Sequence, residues 1–209
     1  MSATRKQTKR VRRIRLIGIL VAIFLSIPVL ILEFSWDKNH LERIKSAGKL
    51  RVITFNGPTT YFEGNQGPRG FEYELVREFA DRLGVKLEIK IADQFEDIMS
   101  EIKAARVDMG AAGLTITDER NKQFSFSTPY QTIKQQFVYR NGGKKRPRKP
   151  ASLTGWDIMV TAGSSHAERL KNLQETYPEI SWQETATDTP ENLLVRVWEK
   201  QLEMTVADS

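Results

Sequence analysis

The sequence predicts an α/β fold built as two successive units behind an N-terminal helix able to enter a membrane. Three features point there. A strand-then-helix pattern runs over 50–112 and restarts over 158–207, a Gly/Pro-rich basic stretch at 141–150 separates the two runs, and residues 16–32 are uncharged and mostly apolar. Strands alternating with helices through short connections argue a parallel sheet covered by helices. With 209 residues, 40% apolar and 28% charged, the chain can bury a real core, which excludes intrinsic disorder.

The 17 residues 16–32 carry no charge and span roughly 26 Å as a helix, close to a bilayer core. Arg5, Lys6, Lys9, Arg10, Arg12, Arg13 and Arg15 precede them, while Glu33 and Asp37 follow. The positive-inside rule then keeps 1–15 as a basic cytoplasmic region and exports everything from Glu33 onward. No small-residue cleavage pattern is evident at Glu33, Phe34, Ser35 and Trp36. We therefore expect an uncleaved transmembrane anchor over 16–32, with a cleaved signal helix as the alternative.

Charge excludes a nucleic-acid role once it is located. The net +6 contains the seven tail cations; without them 25 basic face 26 acidic residues, a net of −1. Lys144, Lys145, Arg146, Arg148 and Lys149 form a second cluster inside the Gly/Pro-rich stretch, and no basic face with aromatic or motif support remains. The absence of cysteine excludes a disulfide scaffold, a Cys-ligated zinc site, a thiol nucleophile and a lipidated N-terminal cysteine.

In chain order, 41–48 reads as a short helix stopped by Gly48, and the β-branched run 50–55 as a strand. Residues 64–70, with three glycines and a proline, read as a loop. From Phe71 a helical stripe of Leu75, Val76, Phe79, Ala80 and Leu83 ends at Gly84. Leu87, Ile89 and Ile91 alternate as a strand, 95–105 is helical, and 107–112 and 135–139 are strands. In the second unit 158–161 is a strand, and Gly163, Ser164 and Ser165 lead into a helix with Ala167, Leu170 and Leu173 on one face. Trp182 lies in a short extended piece. Thr189 and Pro190 are the N-cap and first position of a helix bearing Leu193, Leu194, Val197 and Trp198. Residues 204–207 form a last strand. A sheet strand there calls for a covering helix and a way back to the first unit, so the second unit is expected to be incomplete.

Candidate chemistry lies at strand ends, where open α/β sheets bind ligands. Gly113, Thr115 and Arg120 form an anion clamp: the glycine lets a ligand approach the backbone, the threonine hydroxyl donates, and the guanidinium fork grips a carboxylate. The plain alternative is a turn capped by Thr115 or Thr117 with Arg120 on the surface. Gly163, Ser164 and Ser165 sit at a helix start whose amides favour anions, or Ser165 is only an N-cap. His166 reads as a rim residue, since His40 is the one other histidine and no metal set exists. Asp208 either pairs with an ammonium group or is an ordinary strand-end acid. Tyr61 and Phe62, in the loop after the first strand, can stack on or cover a ligand, or Phe62 belongs to the core. Glu72 with Glu74, and Asp118 with Glu119, are acids close in sequence that face different ways or solvent. No catalytic pair, metal or cofactor is assigned.

Gly70, Phe71, Glu72, Tyr73, Glu74 and Leu75, then 111–120, then Phe126, Ser127, Thr128, Pro129 and Tyr130 together resemble the family 3 bacterial extracellular solute-binding proteins over about 41–209. The resemblance implies a two-lobed periplasmic-binding-protein-like α/β fold (type II) with the second lobe incomplete: lobe 1 at 41–140, a basic linker at 141–151 and lobe 2 at 152–209. It implies that Gly113, Thr115 and Arg120 hold a ligand carboxylate from one lobe. Gly163, Ser164, Ser165 and Asp208 would act from the other, Asp208 taking the α-ammonium. A narrower likeness, through Pro58, Thr59, Thr60, Tyr61, Gly64, 136–140, Arg146, Pro147, 163–166, Tyr177, Pro178, Trp182 and 207–209, is to the N-terminal module of membrane-bound lytic murein transglycosylases. Those enzymes continue into a lysozyme-like catalytic domain, which these 209 residues lack.

The expected function is thus a periplasm-facing, membrane-associated module that binds an amino acid or a peptidoglycan-derived peptide and regulates a transglycosylase, with neither the inner nor the outer membrane selected. A transporter-coupled amino-acid-binding protein is the alternative, and the input domain of a membrane receptor a third class.

Overall fold

The structure, a computed structural model, describes residues 39–142 and 144–209. The expected basic region 1–15 and membrane helix 16–32 lie outside the described residues. Among those described, no helix is long and apolar enough to cross a membrane. The chain divides into two compact units, Met1–Gly48 and Lys49–Ser209.

Helix α1 (His40–Ala47) is the described element of the first unit. It starts where the Asn39 side chain accepts from the Leu41 amide, and ends where Gly48, at φ 66°, donates back to the Lys45 carbonyl. A side chain at that left-handed position would be strained, so glycine sets the stop.

The second unit opens with β1 (Lys49–Thr54), followed by β2 (Phe62–Gly64), β3 (Gly67–Arg69), α2 (Phe71–Leu83), β4 (Lys86–Ile91), α3 (Asp97–Lys103), β5 (Met109–Gly110) and α4 (Asp118–Asn121). A parallel sheet forms in the order β4-β1-β5, with Lys49 opposite Lys86 and Val52 opposite Met109. Central β1 buries Leu50, Val52 and Ile53 almost completely. Ile53 joins Ala92, Ile98, Val107 and Ala112 in one core cluster. The strand expected over 107–112 pairs at only two positions, yet hydrogen bonds from Asp108 to Arg51 and from Ala111 to Ile53 keep its flanks extended.

The structure departs from the sequence pattern at α2 and at the hairpin before it. The inward face of α2 is Glu72, Val76 and Ala80, while Leu75 and Phe79 are each 42% exposed. Positions 72, 76 and 80 form one i,i+4 ridge, and 71, 75 and 79 the next ridge round the helix, which faces out. The loop expected at 64–70 contains an antiparallel hairpin, with Phe62 opposite Arg69 and Gly64 opposite Gly67. Its glycines and proline hide the strand pattern.

The rest of the unit comprises β6 (Gln135–Tyr139), a 3₁₀ turn (Pro150–Leu153), β7 (Met159–Thr161), α5 (Ser165–Thr176), β8 (Gln183–Thr185), α6 (Pro190–Trp198) and β9 (Met204–Asp208). β7 and β8 pair in parallel, β6 and β9 antiparallel, and a parallel bridge from Ile158 to Met204 links the two pairs. Strand 135–139, read from the sequence as the end of the first lobe, therefore joins the second sheet. Its side chains alternate as a two-residue period requires. Phe137 and Tyr139 pack against the cluster of Trp156, Ile158, Leu170, Ile180 and Met204. Val138 packs on the other cluster, Leu193, Val197 and Leu202. Helix α6 begins as expected, with the Thr189 side chain accepting from the Asn192 amide and Pro190 in its first turn; Leu193 and Val197 turn inward while Trp198 is 86% exposed.

Sheet direction positions the site. Because β1 and β5 run parallel, the segments that leave their C-terminal ends, the Tyr61 loop and 111–120, lie on one edge. In the second sheet the start of α5 follows β7, and Asp208 ends β9.

Candidate functional site

Arg120 is the centre of the constellation. Thr117 caps α4 by accepting from the Arg120 amide at 3.2 Å, and the Arg120 side chain turns inward. The residue is 4% exposed, so the surface placement left open by the sequence is excluded. Its Nε donates to Glu168 Oε1 at 2.6 Å, Nη2 to the Gly163 carbonyl at 3.0 Å and Nη1 to the Thr115 carbonyl at 3.4 Å. The other carboxylate oxygen of Glu168 accepts from the Thr117 hydroxyl at 2.8 Å. One buried guanidinium thus ties the segment after β5 to the start of α5, with its charge met by a carboxylate.

Gly163 suits that crossing twice over. Its φ is 68°, and a Cβ placed there would lie 2.7 Å from the Glu96 Cβ. Ser164 is the N-cap of α5, accepting from the Ala167 amide at 3.3 Å. Ser165, for which an N-cap was the plain alternative, is in the first turn, and its Oγ accepts from Gln135 Nε2 at 2.9 Å. Asp208 Oδ1 lies 3.0 Å from His166 Nε2. His166 is itself buried and Asp208 exposed. The parallel direction of β7 and β9 makes this meeting possible, so the α5 start and Asp208 form one cluster.

Gly113 and Tyr61 take other partners. Gly113, at φ 64°, donates its amide to Glu72 Oε2 at 2.6 Å, and Glu72 Oε1 accepts from the Tyr130 hydroxyl at 2.9 Å. Burial pushes the Glu72 carboxyl above its usual value, opposed by those two hydrogen bonds. Burial and the Glu72 charge push the Tyr130 hydroxyl up. The Tyr61 ring meets Tyr73 edge to face at 5.5 Å, and its hydroxyl donates to Glu63. That hydrogen bond, with burial second, pushes the Tyr61 hydroxyl up to about 12.

Sequence reasoning missed Glu72, Thr117, Gln135 and Glu168 as partners of the candidate residues. A signal for Glu168 existed but pointed elsewhere: Ser165, His166, Ala167 and Glu168 fit the S-x-x-E pattern of a local helix cap, whereas the carboxylate serves Arg120. Among the described residues no group of three or more His, Cys, Asp or Glu is placed to hold a metal ion.

Residues 50–195 match the family model of the bacterial extracellular solute-binding proteins, family 3. A curated relative from Pseudomonas putida (strain W619), named membrane-bound lytic murein transglycosylase F, is 45% identical over 170 residues, covering 81% of this chain and 35% of the relative. The chain thus spans about a third of that relative's length. Among solved structures, a mutant of ArgBP from T. maritima aligns with a TM-score of 0.69 at 27% identity, covering 82% of this chain and 72% of that one. The arginine-bound form of truncated ArgBP gives 0.67 at 28%, covering 80% and 77%.

Proposed function

The chain belongs to the bacterial extracellular solute-binding proteins of family 3, and from that membership we propose that it is a periplasm-facing module that binds an amino acid or a murein stem peptide. The observation that carries this reading is the buried Arg120, a carboxylate-binding group reaching from the first sheet's ligand edge to Gly163 and Glu168 at the start of α5. We assign Gly113, Thr115 and Arg120 as ligand contacts from a first lobe. Gly163, Ser164, Ser165 and Asp208 serve from a second lobe that takes in strand 135–139, so that the segment 141–151, expected as the linker, is a connection within that lobe, and Tyr61 covers the ligand. A solute that touches both lobes only when they are together favours the closed arrangement by that difference in contact.

The module's role is regulatory. It senses solute at the front of a membrane-bound lytic murein transglycosylase, held at the membrane by 16–32, and catalysis belongs to a domain other than this one. Identity of 45% to a relative of that name, of which this chain matches 35%, supports the reading. The fold's likeness to ArgBP favours a second, a transporter-coupled amino-acid-binding protein. N-terminal sequencing of the mature protein separates them, because a chain starting near residue 34 supports the shuttle. Calorimetric titration of the full chain with L-arginine and with a murein stem tripeptide tests the binding claim itself: saturable uptake of either supports it, and heat from neither overturns it.

A further inference from the structure

Arg120 carries a charge that cannot stand alone. Its side chain is 5% exposed, whereas the Glu168 side chain paired with it is 31% exposed. A buried cation without a partner is strongly destabilising, while a carboxylate at the rim can turn to water at little cost. The pair is therefore lopsided: the arginine must always be matched, and the glutamate is free to leave once something else matches it. Glu168 also grips by one oxygen only, since Oε1 takes Nε and Oε2 is given to the Thr117 hydroxyl. A carboxylate arriving from outside can use the fork in the two-pronged geometry that guanidinium prefers.

We infer that Glu168 is a resident carboxylate that holds the Arg120 clamp until a ligand's carboxylate replaces it, so that solute binding is an exchange of one carboxylate for another. The inference rests on the proposed reading of Arg120 as the ligand clamp. Its consequences are concrete. The Glu168 contacts join segment 111–120 to α5, and affinity is lower than the clamp alone would give because each binding event first breaks a pair. Selectivity follows as well: a solute without a carboxylate cannot repay the lost partner of Arg120 and is rejected.

The test compares the full chain with its Glu168→Gln variant by calorimetric titration of L-arginine, of a murein stem tripeptide and of L-argininamide, which keeps the cationic side chain but lacks the carboxylate. Glu168→Gln is expected to bind the carboxylate probes at least about tenfold more tightly, the equivalent of roughly 1.4 kcal/mol and the low end of one charge-assisted bond. Argininamide is expected to gain nothing. Glu168→Asp keeps the charge but draws it back by one methylene, and shifts the same probes in the same direction by a smaller factor, which preserves the test if the glutamine variant does not fold. Carboxylate binding by the parent chain that stays equal or weakens in both variants overturns the exchange and leaves the solute-binding reading intact. An equal gain for argininamide overturns it too, since competition for Arg120 then plays no part. Absence of binding by every chain overturns the solute-binding reading and the exchange with it.

Discussion

Removing either member of the Arg120–Glu168 pair leaves the other behind, and the structure says which remnant is worse. Glu168→Ala strands a guanidinium that is 5% exposed, the case in which breaking a buried pair costs about 3–5 kcal/mol. Arg120→Met strands a carboxylate that is already 31% exposed and refills most of the arginine's volume with apolar chain. Its cost is the loss of two well-formed donors, to Glu168 and Gly163, discounted for screening at the rim to about 2 kcal/mol. For a unit of this size 1 kcal/mol moves the melting temperature by roughly 2–4 °C. Glu168→Ala should therefore lower it by about 10 °C and Arg120→Met by about half as much, read by urea and thermal unfolding of the full chain. Arg120→Met proving as damaging as Glu168→Ala would refute the unequal burial on which the reasoning depends.

Other perturbations follow from the same geometry. Gly163→Ala should cost more than Gly113→Ala: both sit at positive φ, a strain of about 1–2 kcal/mol, but only the Gly163 methyl meets Glu96 at 2.7 Å, while at Gly113 the nearest contact is Thr60 Cγ2 at 3.8 Å; equal melting temperatures would argue against the close approach. Burial raises the Glu72 carboxyl above its ordinary 4.5, so the stability tied to it is fully present below that value and is lost as pH rises through the raised one. Glu72→Gln should flatten unfolding free energy over that interval, and an unchanged pH profile would contradict the assignment. Asp208→Asn should weaken binding of solutes with a free ammonium selectively, and equal weakening of N-acetylated probes would exclude the ammonium role.

Local signals and distant pairings were legible to different degrees. Gly48 and Gly84 mark helix ends because their positive φ suits glycine, and Thr189 with Pro190 marks a start, each by chemistry confined to one turn. The extent of strand 135–139 is legible in its apolar run, but its sheet is not, because its partner β9 is a distant strand and nothing in an apolar run names its neighbour. The surroundings of Arg120 show the same divide. Arg120, Gly163 and Asp208 stand out by residue type at strand ends, but Glu168 lies 48 positions from Arg120 and mimics a helix cap. Glu72, 41 positions from Gly113, passes for one of two surface acids. On α2 periodicity found the helix but took in one ridge too many, since Val76 and Ala80 are small enough to sit on the sheet while Leu75 and Phe79 face out.

The most direct test of the central claim, that one solute is held from both halves at once, is hydrogen exchange on the full chain with and without saturating L-arginine or murein stem tripeptide. The account predicts that amides of 111–120 and of 163–168 gain protection together at the same ligand concentration. Protection confined to one of the two segments, or to neither, would contradict it.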